Sequence, residues 1–133
     1  MHSAYSVFNN KRGENMKKNK NYGKIIHACL LCELIEGPNY GYELMSKLEA
    51  YGIKEEDVNI STLYRCLNKL EDSKLINSSW EESESGPNKK VYNITRDGIG
   101  ELKNIISFIE DRKKILENVM KRYENINIKN WSE

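Results

Sequence analysis

The sequence predicts a mainly α fold with one small β-hairpin, and three observations carry that prediction. The first is a helix with two unlike faces. Leu63, Leu67 and Leu70 recur at helical spacing, with Ile60 one turn earlier, while Ser61, Thr62, Arg65, Asn68 and Lys69 fall on the opposite side. The second is a pair of alternating runs: Ile76, Ser78 and Trp80 on one, Tyr92 and Ile94 on the other, with SESGPN as the tip between them. The third is the closing segment, residues 96–125. There Leu102, Ile106, Ile109, Lys113, Leu116, Met120 and Tyr123 step alternately by four and three, the spacing of a heptad seam. Three short helices, a hairpin and a long helix, in that order, predict an α+β winged helix-turn-helix followed by a C-terminal dimerisation helix. In that layout the third helix enters a DNA major groove and the hairpin, the wing, reaches toward the backbone.

Composition bounds the rest. A chain of 133 residues suits one domain with a modest core. Charged residues make up 31% of it but the net charge is only +1, so a DNA footprint has to be a local patch. No apolar run reaches the length of a spanning helix and no signal-peptide pattern is present. Three cysteines, an odd number, argue against a disulfide framework and suit a reducing compartment. The expectation is a cytoplasmic protein with no membrane partner and no cofactor.

Residues 1–21 read as a disordered basic arm. Up to Lys24 there are six Lys and Arg against one Glu, a local charge of +5, which suits phosphate contacts or simply a solvated tail. Arg12-Gly13-Glu14-Asn15 ahead of Met16 can be encoded by a purine-rich run of the ribosome-binding type, so Met16 is an expected start and residues 1–15 an expected product of start assignment. The winged-helix domain is expected over 22–95. Its first helix, 22–36, is apolar almost all round after Lys24, and such a helix must be covered on more than one side. The chain's own domain supplies one cover and a second subunit the other. Gly37-Pro38-Asn39 stops it. A second helix, about 41–51, places Leu44, Met45, Leu48 and Tyr51 on one face with Gly52 as C-cap. An acidic link follows, and Asn59 or Ser61 caps the third helix. The final helix, 96–125, has more apolar surface than a small domain can bury, so it is expected to dimerise; intrachain packing alone is the alternative. Residues 126–133 are a tail that includes Trp131.

The residues that can carry chemistry are few. Cys29-x-x-Cys32 has redox or zinc-ligand spacing but sits inside an apolar helix with no second ligand pair, so it reads as buried structural cysteine, and no metal site is expected. A thiol- or metal-responsive regulator using Cys29 and Cys32 is the alternative, with Cys66 the more accessible thiol. Glu81, Glu82 and Glu84 have no nucleophile or ligand set beside them and read as a solvated strand end. No catalytic constellation is present, so an enzyme is not expected. The DNA reading has its parts in order. Ser61, Thr62 and Tyr64 open the third helix, where hydroxyls and N–H groups reach phosphates. Arg65, Asn68 and Lys69 suit base edges, and Lys89 and Lys90 past the wing tip suit backbone phosphates. A winged helix that binds only protein is the competing reading.

These motifs resemble a known family. Leu30-Leu31, Gly37-Pro38 and Gly41-Tyr42-Glu43-Leu44 resemble the opening of PadR-family transcriptional regulators. Thr62-Leu63-Tyr64-Arg65-x-Leu67-x-x-Leu70-Glu71, Leu75-Ile76 and Trp80 resemble its recognition helix and first wing strand. Gly86-Pro87-x-Lys89-Lys90-x-Tyr92-x-Ile94-Thr95-x-x-Gly98 is similar to its second wing strand and the turn into the last helix. The likeness spans about residues 25–102. It implies a homodimeric repressor on double-stranded DNA at a palindromic operator, with Tyr42 and Tyr64 on the backbone. It implies a dimer interface in which the last helix packs on the partner's first helix, here Ile26, Leu30, Leu102, Ile106, Ile109, Leu116, Met120 and Tyr123. The single terminal helix resembles the smaller subgroup, which implies a small hydrophobic effector at that interface beside an aromatic such as Tyr123. Two features depart from the pattern. Lys74 stands where the family has glycine, a position suited to a left-handed cap. Glu55-Glu56-Asp57 would repel phosphate, so the link is expected to point away from DNA.

Overall fold

The computed structural model describes residues 12–126, with side-chain surroundings from Tyr22 onward. Residues 1–11 of the expected arm, and 127–133 of the tail with Trp131, lie outside the described residues. The order is α1 (Arg12–Glu36), β1 (Asn39–Tyr40), α2 (Gly41–Ala50), α3 (Ile60–Asp72), β2 (Ile76–Glu81), β3 (Lys89–Ile94) and α4 (Arg96–Glu124). This is a winged helix with a long final helix.

One boundary differs from expectation. Helix α1 begins at Arg12, so residues 12–21, expected to be disordered, are helical. Charge made this stretch look like a tail, but charge alone does not stop a helix. No proline lies before Pro38, and the apolar half of α1 propagates backward through the lysines. At its other end Gly37 takes φ 155° and its N–H returns to the Leu34 carbonyl.

The core is built on α1. Ile26, Ala28, Cys29, Leu30, Leu31 and Leu34 are all buried, against Leu44 and Leu48 of α2, Leu63, Leu67 and Leu70 of α3, Ile76 and Tyr92 of the wing, and Leu102 and Ile105 of α4. Ile53 and Val58 pin the acidic link while Lys54, Glu55, Glu56 and Asp57 stay exposed. Three expected interface residues are therefore corrected. Ile26 (3% exposed), Leu30 (0%) and Leu102 (7%) are covered by their own chain. The all-round apolar character of α1 reflects packing against four neighbouring elements, α2, α3, β3 and α4, more than a partner subunit. What α1 leaves outside is Ile25 and Ile35.

The wing has a third strand that sequence alternation missed. Two-residue β1 pairs antiparallel with β3, giving the order β1-β3-β2. Two residues are too few to show a period of two. Asn39 faces Tyr92 and Tyr40 faces Val91, so the start of α2 is tied to the wing.

The end of α3 explains the Lys74 departure. Lys74 takes φ 62°, the left-handed conformation. Its N–H bonds to the Glu71 carbonyl and the Leu75 N–H to the Leu70 carbonyl, the paired bonds of a Schellman cap. The expected turn is kept, with lysine bearing the strain. Directly behind it, Thr95 caps α4. Its hydroxyl accepts from the Gly98 N–H and donates to the Lys74 and Leu75 carbonyls. A Cβ on Gly98 would lie 2.1 Å from the Leu75 carbonyl oxygen, so only glycine lets α4 start against this turn.

Helix α4 has two halves. Up to Ile109 it packs on α1, with Phe108 flanked by Lys24 (4.6 Å from the ring centroid) and Arg112 (4.7 Å). From Glu110 to its end every residue is exposed, including Leu116 (61%), Met120 (58%) and Tyr123 (62%).

Candidate DNA-binding face

The third helix opens with Asn59, whose side chain accepts the Thr62 N–H at 2.9 Å. Of the two expected caps it is Asn59 that acts, which leaves the Ser61 hydroxyl exposed. Beyond it α3 divides cleanly. Leu63, Leu67 and Leu70 are buried, while Tyr64, Arg65, Asn68 and Lys69 are exposed and Thr62 is half-buried. The three-and-four spacing places Arg65, Asn68 and Lys69 together on the outward surface. Lys69 lies on the side next to α1, where its charge acts on His27. Burial lowers the His27 pKa first and Lys69 lowers it further, with Glu101 opposing.

On the other side of α3 the wing closes an open cleft of about 410 Å³. Tyr64 and Asn68 form one wall and Trp80, Lys89 and Lys90 the other. Tyr40, Gly41 and Tyr42 form the end where α2 begins. Gly41 lets the Tyr64 ring close on the start of α2, since a Cβ on it would meet that ring, the hydroxyl at 2.6 Å, and push it outward. None of the acids in the link lines this cleft. Asp57 instead acts on the Tyr22 hydroxyl of α1, whose pKa is raised by burial first and by Asp57 second.

The structure thus gathers five of the nine residues expected to touch DNA, Tyr42, Tyr64, Asn68, Lys89 and Lys90, around one cleft. Ser61, Thr62, Arg65 and Lys69 stand on the outer surface of α3. Tyr40, Trp80 and Asn88 also line the cleft and were not singled out as site residues. Trp80 sits on the strand face of buried Ile76, but burial falls along β2 and Trp80 ends 66% exposed. A large aromatic at the solvent end of an otherwise inward-facing run was the available signal.

The two wing lysines differ. Lys90 Nζ lies 3.7 Å from Glu71 Oε1, the only ion pair among the described residues, and Ser78 Oγ donates to the other oxygen of Glu71. Lys89 is exposed, over the rings of Tyr40 (5.4 Å) and Tyr42 (5.8 Å), which stack on one another with an interplanar angle of 8°.

The thiols offer less. Cys29 is buried, and desolvation pushes its pKa up to about 11. Cys32 and Cys66 are half-buried with raised pKa values, burial again the main cause. All three are therefore protonated and poorly nucleophilic near neutral pH. Among the described residues no group of three or more His, Cys, Asp or Glu side chains could hold a metal ion.

Comparison with known proteins agrees with this geometry. The model of the PadR-like family of transcriptional regulators matches residues 30–104. This chain belongs to that family. PadR membership makes it a transcriptional regulator, of a family that acts on DNA and not as enzymes. No curated protein matches the chain. Among solved structures, a transcriptional regulator from Clostridium thermocellum is 27% identical with a TM-score of 0.60, over 70% of this chain and 87% of that one. A PadR-like transcriptional regulator from Bacillus cereus is 27% identical with a TM-score of 0.61, over 72% and 91%. A PadR-like transcription factor from Bacteroides fragilis shares the fold at a TM-score of 0.64 and 24% identity, over 79% and 98%. The matched region runs from the buried half of α1 through the wing into the packed half of α4. No helix among the described residues is long and apolar enough to cross a membrane.

Proposed function

We propose that this PadR-like regulator is a homodimeric repressor. It would bind a palindromic operator, with α3 of each copy in a major groove and each wing on the flanking backbone. The observation that carries the dimer is the second half of α4. Ile115, Leu116, Val119, Met120 and Tyr123 are each more than half exposed, on a stretch in which every residue from Glu110 onward is exposed. An isolated helix of that length is marginal in water, so a second copy of the same face is its natural cover. Ile106 and Ile109 continue the face toward the core. The outward row of Arg65, Asn68 and Lys69 supports base reading, and the aromatic and basic cleft supports backbone anchoring.

The test is a mobility shift on the region upstream of the protein's own gene. Binding that falls steeply with salt, keeps its affinity class but changes base preference in Arg65→Ala, and yields to a reporter that rises when the gene is deleted supports the reading. Binding with no promoter preference overturns it. Release by a small hydrophobic effector at the interface is the further part of this proposal, supported by Tyr123 standing exposed beside Met120 on the face that a second copy would cover. An environment-sensitive apolar dye tests it: the dimer takes up the dye and loses operator affinity, and a dimer that ignores the dye contradicts it.

A further inference from the structure

We infer that Tyr40 is a positioning residue that makes Lys89, and not its neighbour Lys90, the wing's phosphate contact. The inference rests on the DNA-binding reading above and assigns separate tasks to two lysines that the sequence treats alike. In the register of the wing, Glu81 stands directly across from Lys89. A cross-strand pair of opposite charge normally neutralises itself. Here it does not, because the Tyr40 hydroxyl donates to Glu81 Oε1 and holds that carboxylate at the β1 edge. This hydrogen bond is also the main cause of the raised Tyr40 pKa, so the hydroxyl stays protonated and keeps donating. Meanwhile the ammonium of Lys89 lies over the stacked rings of Tyr40 and Tyr42, exposed and in no ion pair among the described residues. Aromatic faces hold a cation without cancelling its charge. Lys89 is thus oriented and still fully available to an anion.

Lys90 is the reverse case. It is half-buried, 3.7 Å from Glu71 and over the ring of buried Tyr92, and Glu71 is held by Ser78 as well. Its charge is already used to join β3 to the last turn of α3. A strut of this kind sets the angle between recognition helix and wing and adds little to phosphate binding.

Salt dependence of operator binding separates the tasks, because each phosphate contact adds about 0.9 to the slope of log K against log salt. Lys89→Ala lowers that slope by about two in a dimer, one contact per copy. Lys90→Met leaves the slope unchanged and lowers the melting temperature by about 3 °C. Tyr40→Phe keeps the ring but frees Glu81 to pair with Lys89, so the slope falls as in Lys89→Ala. Adding Glu81→Gln to Tyr40→Phe restores it, a rescue that loss of wing structure would not show. Equal slope changes for the two lysine variants, or no rescue, overturn the assignment. So does Glu71→Gln if it raises the slope, since that would mean Lys90 is a phosphate contact held in reserve. A wild-type chain with no DNA affinity removes the function itself, and Lys89's task with it. A wild type that binds with a steep slope while the variants disobey removes only the division of labour.

Discussion

Helices α3 and α4 are both amphipathic, and the chain treats them in opposite ways. The apolar face of α3 is consumed: Leu63, Leu67 and Leu70 are all at 1% exposure or less. The apolar face of α4 is consumed only as far as Ile109, and beyond it Leu116 and Tyr123 stand 61% and 62% exposed. A single chain therefore suffices to orient α3, its caps and the wing. It leaves the outer half of α4 exposed; the whole helix, at 29 residues, is roughly 43 Å long. In the proposed dimer, recognition would be finished within one protomer, and the distance between two recognition helices would be left to the association. On that proposal, operator affinity would follow the association while the fold of each protomer stays the same.

That contrast can be broken from either side. Leu67→Ala should cost about 3 kcal/mol, the usual penalty for a buried leucine, and lower the thermal midpoint at every protein concentration. The same change at Leu116 should alter the midpoint only through its concentration dependence. Paired Leu116→Glu and Met120→Glu should leave the winged helix folded by circular dichroism and weaken operator binding about 100-fold, because two linked readers become two separate ones. Operator affinity unchanged in this variant would contradict the dimeric reader. Arg65→Ala should shift base preference by about 2 kcal/mol at one position of each half-site without moving the melting temperature, as read by binding to single-base operator variants. Lys74→Gly should stabilise the chain by about 1 kcal/mol, since glycine takes φ 62° without strain, and denaturant unfolding measures it.

The smallest expected effect is a pH dependence. Burial depresses the His27 pKa below its ordinary 6.5, so the unfolded chain binds the proton more readily. Its contribution to stability is complete above pH 6.5 and is lost as the pH falls below that value toward the folded pKa. His27→Gln should flatten the decline in melting temperature between pH 7 and pH 5. An unchanged slope would show that His27 is solvated.

Most of the fold was legible because periodicity reports burial. The stripe of α3, the hairpin and the heptad steps of α4 each repeat often enough to declare their geometry. Lys74 was legible too, as a lysine where a left-handed turn was needed. What escaped had no period to show. Strand β1 is two residues long, and the start of α1 was hidden by lysines that mark solvent exposure as readily as disorder. The expected interface residues were legible only as apolar. An apolar residue says that it will be covered and not by which chain, so Ile26, Leu30 and Leu102 went to the partner when their own domain covers them. The cleft was partly legible. Tyr42, Tyr64 and the lysines carried motif spacing, whereas Tyr40 and Trp80 joined them only through strand pairing and the fading of burial along β2.

The most direct test is the mass in solution, by light scattering across a dilution series, of the wild-type chain. A mass twice that of the 15.5 kDa chain, with helix content constant until it dissociates, is the predicted result. A particle of one chain's mass that keeps its full helix content at every concentration would mean that the outer half of α4 stands without a partner, and would contradict the account.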